Sequence, residues 1–377
     1  MTSFESTPLR LLVTGGLGFI LIGALPGLYG LALPVWTEAH GAGGAGLVIG
    51  IHGLGCTIAV VSGLFGIVRL TLRLSFALIL AGALGLGLAP GWGGILPAAL
   101  VTGLGYGAIS VVVNRRFLTE FGARGPGMVG LVNAIYGIGA IAAPPALLLA
   151  GGRPAPVYLG LAVLALVTLP FVRPALRRAA TVRPGLPPLH AGRMSILAFI
   201  FVSAVLETGL SGYGPTALLG LGLGAERVAL LTSGFFVAFL AARLMLYWVA
   251  HHLRPEHLMA AGFLITAFAL GLAAAGQPEA GFIAAGAGVG IQFPAFYVWA
   301  MHVLGGDERM SSAPLLGGLA GATIGPLALA PVLAAAGGPV LFPLLAGLSL
   351  LAGLALLATS RRIGAIAAGP LDKRPAA

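Results

Sequence analysis

One carboxylic acid in this chain stands where apolar residues would be expected. Glu207 interrupts the run LAFIFVSAVLETGLSGYGPTAL, residues 197–218. At the centre of a bilayer an ionised acid costs about 2.5–3.5 kcal/mol, so it needs either a bound proton or a charge partner. A carboxyl that gains and loses a proton there could couple proton movement to transport, and it would also attract a cation. The plainer alternative is a protonated acid hydrogen-bonded to a neighbouring helix. Glu5, Glu38, Glu120, Glu226, Glu256, Glu279, Asp307, Glu308 and Asp372 all fall in expected loops or at the ends of apolar runs. His52 is a second titratable group inside an apolar run; it suits a proton relay or a structural hydrogen bond.

Other polar side chains recur at mid-run positions. Asn133 and Tyr136 lie three residues apart, on one face of a helix. Gln292, Tyr297 and Trp299 share another run, with His302 nearer its end. Tyr213 follows Glu207 by six residues, and Tyr29 is its counterpart in the first half. Amides and aromatic rings bind polar organic solutes by hydrogen bonding and stacking, although each also packs well between helices. Asn114 precedes Arg115 and Arg116, which could bind an anion or snorkel toward headgroups. His251, His252 and His257 in HHLRPEHLM read as a solvated turn around Pro255, and no metal or cofactor is expected.

The elements that must hold these groups follow from composition. With 58% hydrophobic and 8% charged residues, against about 25% charged in a soluble domain, the chain cannot cover itself with polar surface. A lipid bilayer is its expected solvent. The 61 glycines sit among Leu, Ala and Val without a period, as in helices that approach one another closely. Cys56 is the one cysteine, which excludes an intrachain disulfide. The basic residues stand at the ends of apolar runs, so the net charge of +10 does not point to nucleic acid.

About 20 apolar residues cross the hydrocarbon layer as a helix. Twelve such runs are predicted, near 11–34, 45–68, 73–90, 93–114, 127–150, 155–172, 194–220, 228–250, 257–275, 280–304, 312–336 and 339–359. The third, sixth and ninth are short. With the amino terminus inside, eighteen of the 20 basic residues fall on the cytoplasmic side, and only Arg153 and Arg227 do not. That bias predicts cytoplasmic termini, and no arginine is expected at mid-depth. The first run is too long for a cleaved signal segment.

The segment 173–193, RPALRRAATVRPGLPPLHAGR, reads as a basic linker between a bundle at 1–172 and another at 194–377. Motifs repeat across it. GLGYG at 103–107 matches GAGVG at 286–290, GAIAAP at 139–144 matches GATIGP at 321–326, and GLYG at 27–30 matches SGYG at 211–214, at offsets of 183, 182 and 184.

With these repeats, the Arg69–Arg73 turn, its counterpart at Arg243 and the Gly-to-Pro motifs, the chain resembles the major facilitator superfamily over essentially its whole length. The resemblance implies twelve helices in two pseudo-symmetric six-helix bundles rocking about a midplane site, with Arg69, Arg73 and Arg243 as cytoplasmic gating charges. One departure is that GLFGIVRLTLR has no acid where the family's loop commonly carries one. VNAIYGIGAIAAPP and GVGIQFPAFYVWAMHVLGG faintly resemble the sugar-permease branch typified by the fucose–proton symporter.

The function expected is secondary transport of a small organic solute, with the proton as coupling ion and Glu207 and His52 as coupling groups. Tyr29, Asn133, Tyr136, Tyr213, Gln292, Tyr297 and Trp299 are the expected substrate contacts. The alternatives are proton-antiport efflux of lipophilic or cationic compounds and a non-transporting scaffold or sensor. No GxxxxGK[ST], HExxH or GxSxG is present, so neither ATP hydrolysis nor an enzyme is expected. The expected setting is the bacterial cytoplasmic membrane, as a monomer.

Overall fold

The computed structural model describes residues 6–173, 195–249, 252–304 and 312–367. Among these it has thirteen α-helices and no strand: α1 (Ser6–Gly27), α2 (Tyr29–His40), α3 (Val48–Leu64), α4 (Leu72–Leu88), α5 (Trp92–Glu120), α6 (Gly125–Leu149), α7 (Pro154–Thr168), α8 (Leu197–Gly220), α9 (Ala225–Val249), α10 (Pro255–Ala274), α11 (Pro278–Leu304), α12 (Ser312–Ala336) and α13 (Leu341–Ala367). Eleven helical segments are long and apolar enough to cross a membrane, and α4, with 17 residues, is the shorter apolar helix at the third expected run. The expected run 11–34 is broken at Leu28 into α1 and α2, because Pro26 and the flanking Gly27 and Gly30 loosen the turn. Most of the linker, 174–193, and His251 lie outside the described residues.

Helix boundaries follow local chemistry. Thr71 caps α4 by accepting from Leu74 N–H, and Pro154 and Pro255 open α7 and α10, where a missing N–H costs nothing. Gly222 and Gly276 turn the chain after α8 and α10 at φ +85° and +95°, which a side chain resists. Apolar side chains such as Leu149, Phe268 and Leu351 point outward, as lipid contact allows. Buried hydroxyls of Ser75, Thr102, Thr168, Thr232 and Thr266 donate to carbonyls one turn back in their own helices.

The packing forms two compact units that cut across the repeat. One holds Met1–Arg183, Thr208–Phe236 and Thr323–Pro339; the other holds Pro184–Glu207, Val237–Ala322 and Val340–Ala377. In the first, α3 packs on α5, α4 on α5 and α7, and α1 on α6. In the second, α10 packs on α11 and α13.

The sequence repeats make equivalent contacts inside these units. A Cβ added to Gly107 of GLGYG would lie 2.5 Å from the Cys56 carbonyl oxygen of α3, and one added to Gly290 of GAGVG would lie 2.5 Å from that of Phe239 in α9. Both pairs are 183 residues apart, from 107 to 290 and from 56 to 239. Gly139 of GAIAAP likewise abuts Ile20, and Gly321 of GATIGP abuts Phe201. Only hydrogen at these α-carbons lets the helices come so close.

Gly290→Leu is therefore expected to lower the thermal midpoint of purified protein, since overpacking costs about 1–3 kcal/mol. Gly160→Ala, where an added carbon meets nothing within 4 Å, should leave it unchanged. Equal midpoints for both variants would refute the close-contact reading.

Candidate functional site

In the second unit Glu207 sits ten residues into α8, about 15 Å along the axis. Its Oε2 is 3.9 Å from Nη2 of Arg243, and the two side chains are 33% and 25% exposed. Arg243 lies six residues before the end of α9, so its backbone is nearer the helix terminus and its long side chain reaches inward. The guanidinium rests on the Phe239 ring at 4.0 Å, and Nε donates to the Gly290 carbonyl at 3.3 Å. Arg243, expected as a cytoplasmic gating charge, stands inside α9 and pairs with the acid. Its identity as a loop-end charge obscured this, because the pairing depends on how α8 and α9 are set beside each other.

The first unit carries an aromatic chain. Tyr29 and His52, both buried, meet through Tyr29 Oη and His52 Nδ1 at 3.0 Å. The His52 ring meets Tyr106 edge-on at 5.5 Å, and Tyr106 meets Tyr136 edge-on at 6.4 Å. Trp36 stacks on Tyr158 at 5.7 Å, whose buried hydroxyl has no hydrogen-bond partner among the described residues. Tyr106 and Tyr136 are half-buried, and Asn133 on the same face of α6 is exposed. The Asn133 amide donates to Val129 carbonyl at 2.8 Å and approaches Asn114 Oδ1 at 3.5 Å. Tyr106 was missed in the sequence because it lies inside a glycine repeat.

The other expected contacts are scattered. Gln292 is fully buried between α11 and α10, where its Nε2 donates to Thr266 Oγ1 at 3.1 Å. Trp299 is buried against Phe199 and Phe296, whereas Tyr297 is exposed and stacks on Phe293. Arg69 is exposed in the turn before α4, and Arg73 Nε donates to the Val172 carbonyl at 3.2 Å. Tyr213 is buried, and its hydroxyl lies 3.1 Å from the carbonyls of both Gly46 and Pro326.

That last contact belongs to a set within the first unit. Thr216 Oγ1 of α8 donates to the Gly30 carbonyl at 3.1 Å, and Ser233 Oγ of α9 donates to the Ile141 carbonyl at 2.9 Å. Thr57 and Thr323 meet hydroxyl to hydroxyl at 3.0 Å. Side chains of the second repeat thereby latch onto the first, and at Gly30 an added Cβ would lie 2.7 Å from the Gly212 carbonyl.

The acceptors share a cause. Gly30, Ile141 and Gly290 each lie four residues before a proline inside a helix: Pro34, Pro145 and Pro294. Proline has no N–H, so the carbonyl one turn back loses its helical donor. In a dry interior such a group must find another. Here Thr216, Ser233 and Arg243 supply it. The three prolines are the sequence signal that could have located these sites.

No protein-family model matches the sequence, and no curated protein matches it significantly. Solved structures do match. The nucleoside transporter NupG superposes with TM-score 0.74 at 16% identity, covering 93% of this chain and 98% of that one. The D-xylose-proton symporter gives 0.76 at 14% identity over 93% and 97%. The peptide transporter POT in complex with alafosfalin gives 0.75 at 15% identity over 94% and 95%. At these identities the likeness establishes the fold alone, which this chain shares with those three structures. These neighbours lend no support to the fucose–proton symporter branch in particular.

Removing two latches by Thr216→Val and Ser233→Ala forfeits two hydrogen bonds, each worth about 0.5–1.5 kcal/mol. The expected result is about tenfold faster maleimide labelling at Thr323→Cys in a Cys56→Ser background. An unchanged labelling rate would show that these bonds do not limit access to position 323.

Proposed function

We propose that this protein is a secondary transporter of a small polar organic solute, working by alternating access between two six-helix bundles and driven by protons through Glu207. The Glu207–Arg243 pair is the observation that carries the reading. Ionised, Glu207 is balanced by the guanidinium. Protonated, it leaves Arg243 held by the Gly290 carbonyl and the Phe239 ring, with its charge free to act on solute or on the neighbouring helices. A proton thus changes which partner Arg243 has, and a differential interaction of this kind is what coupling requires.

The latches support alternation. They cross between the repeats through hydroxyl–carbonyl bonds and one hydroxyl–hydroxyl contact, each individually weak. The neighbours' printed descriptions, a nucleoside transporter, a D-xylose-proton symporter and a peptide transporter, fit carriage of a polar solute. Tyr106, Tyr136 and Asn133 offer ring faces and an amide for one. The arginine beside Glu207 weakens the efflux of lipophilic cations as a reading, because the acid already has a counter-charge. In this reading the termini are cytoplasmic, α4 also spans the bilayer, and the protein is a monomer of the cytoplasmic membrane.

The test begins with a thermal-shift screen of sugars, nucleosides, amino acids and small carboxylates to find a stabilising solute. In proteoliposomes carrying a pH-sensitive dye, that solute should move protons with the wild-type protein. In Glu207→Gln the proton signal should fall to that of empty liposomes while solute counterflow persists. Proton movement that survives Glu207→Gln would remove Glu207 from the mechanism, and absence of counterflow with every stabilising solute would remove transport itself.

A further inference from the structure

The end of the first unit where α1 begins holds a concentration of positive charge that transport does not use. Arg10 at the start of α1, Arg116 near the end of α5 and Arg173 just beyond α7 line one cleft with Leu11, Thr14 and Phe171. The cleft is shallow and open, so a ligand would sit on its surface between the guanidinium groups and not inside an enclosed cavity. Arg116 is buried, and its donors are largely committed. Nε and Nη2 bind the two carboxylate oxygens of Glu120 at 2.7 and 3.1 Å, and Nη1 donates to the Arg173 carbonyl at 2.9 Å. This network fixes the backbone of Arg173 against α5.

Arg10 and Arg173 themselves are exposed, and among the described residues neither guanidinium has an acidic partner. Among the described residues the one carboxylate at this cleft, Glu120, is taken up by Arg116. Like charges gathered in one cleft repel unless an anion joins them. Planar guanidinium forks match phosphate oxygens in geometry. Basic pockets between helices at the membrane surface bind phosphate headgroups.

We propose that this cleft binds a phosphate-bearing anion, with Arg10 and Arg173 as its ligands and Arg116 as the fixed charge behind them. Two sources share that chemistry, the phosphodiester of an anionic lipid and free phosphate. Phe171 at the mouth, together with Leu9 and Val13 on α1, is more than half exposed and gives an apolar surface on which acyl chains can lie. Arg116 positions the pocket, so its removal would disturb the packing of Arg173 as well as the charge.

The test uses purified, delipidated full-length protein in detergent, with thermal midpoint and native mass spectrometry as readouts. Phosphatidylglycerol, phosphatidylcholine and inorganic phosphate are added separately. A midpoint rise of about 3 °C or more with phosphatidylglycerol and none with phosphatidylcholine assigns a lipid ligand. The same rise with inorganic phosphate assigns free phosphate. In either case Arg10→Gln with Arg173→Gln should abolish the rise and the bound mass. Arg115→Gln with Arg124→Gln removes the same charge outside the cleft and should preserve both. Equal rises with both lipids, no rise with any of the three, or a rise that survives Arg10→Gln with Arg173→Gln would overturn the site.

Discussion

A carbonyl oxygen in a membrane helix has two lone pairs, and the helix uses one of them. Where proline removes the donor, it uses neither. With no water in the hydrocarbon layer, these oxygens are the acceptors that hydroxyl and guanidinium side chains from other helices can reach. The contacts that define this protein are of that kind: Thr216 to Gly30, Ser233 to Ile141, Tyr213 to Gly46 and Pro326, Arg243 to Gly290 and Ser349 to Phe263. Each joins one helix to the main chain of another without adding a second side chain that would have to be satisfied in turn. Glycine at the crossings brings the two backbones near enough for short side chains such as serine and threonine to span the gap.

The same constraint separates fully buried contacts from partly buried ones. Ser349 to Phe263 and Gln292 to Thr266 lie in fully buried packing between α10 and its neighbours, where opening would expose apolar surface and strand polar groups. The Glu207–Arg243 pair is only partly buried and long for an ion pair.

Most of the helical frame was legible in the sequence. The apolar runs reappear as helices because length and hydropathy alone decide what a bilayer accepts. The repeat was legible too, since Gly107 and Gly290, or Gly139 and Gly321, do the same job in each half. The site was less so. Glu207 stood out by its charge, but its partner did not, because Arg243 looks like any basic residue near a span end. Gln292 and Trp299 have the chemistry of binding groups yet pack between helices, and Tyr213 has become a latch. Side-chain type does not say which way a helix is turned.

What the sequence by itself determined is the solvent, the order of the apolar runs, the internal repeat, and which carbonyls lack a donor, because prolines 34, 145 and 294 set that locally. Tertiary structure alone decided which donors arrive there. Thr216 and Ser233 cross between the repeats, and Arg243 turns inward to meet both Gly290 and Glu207. A missing N–H is a property of one residue, whereas a hydrogen bond between helices depends on the rotation and depth of two, and those are fixed only when all the helices pack.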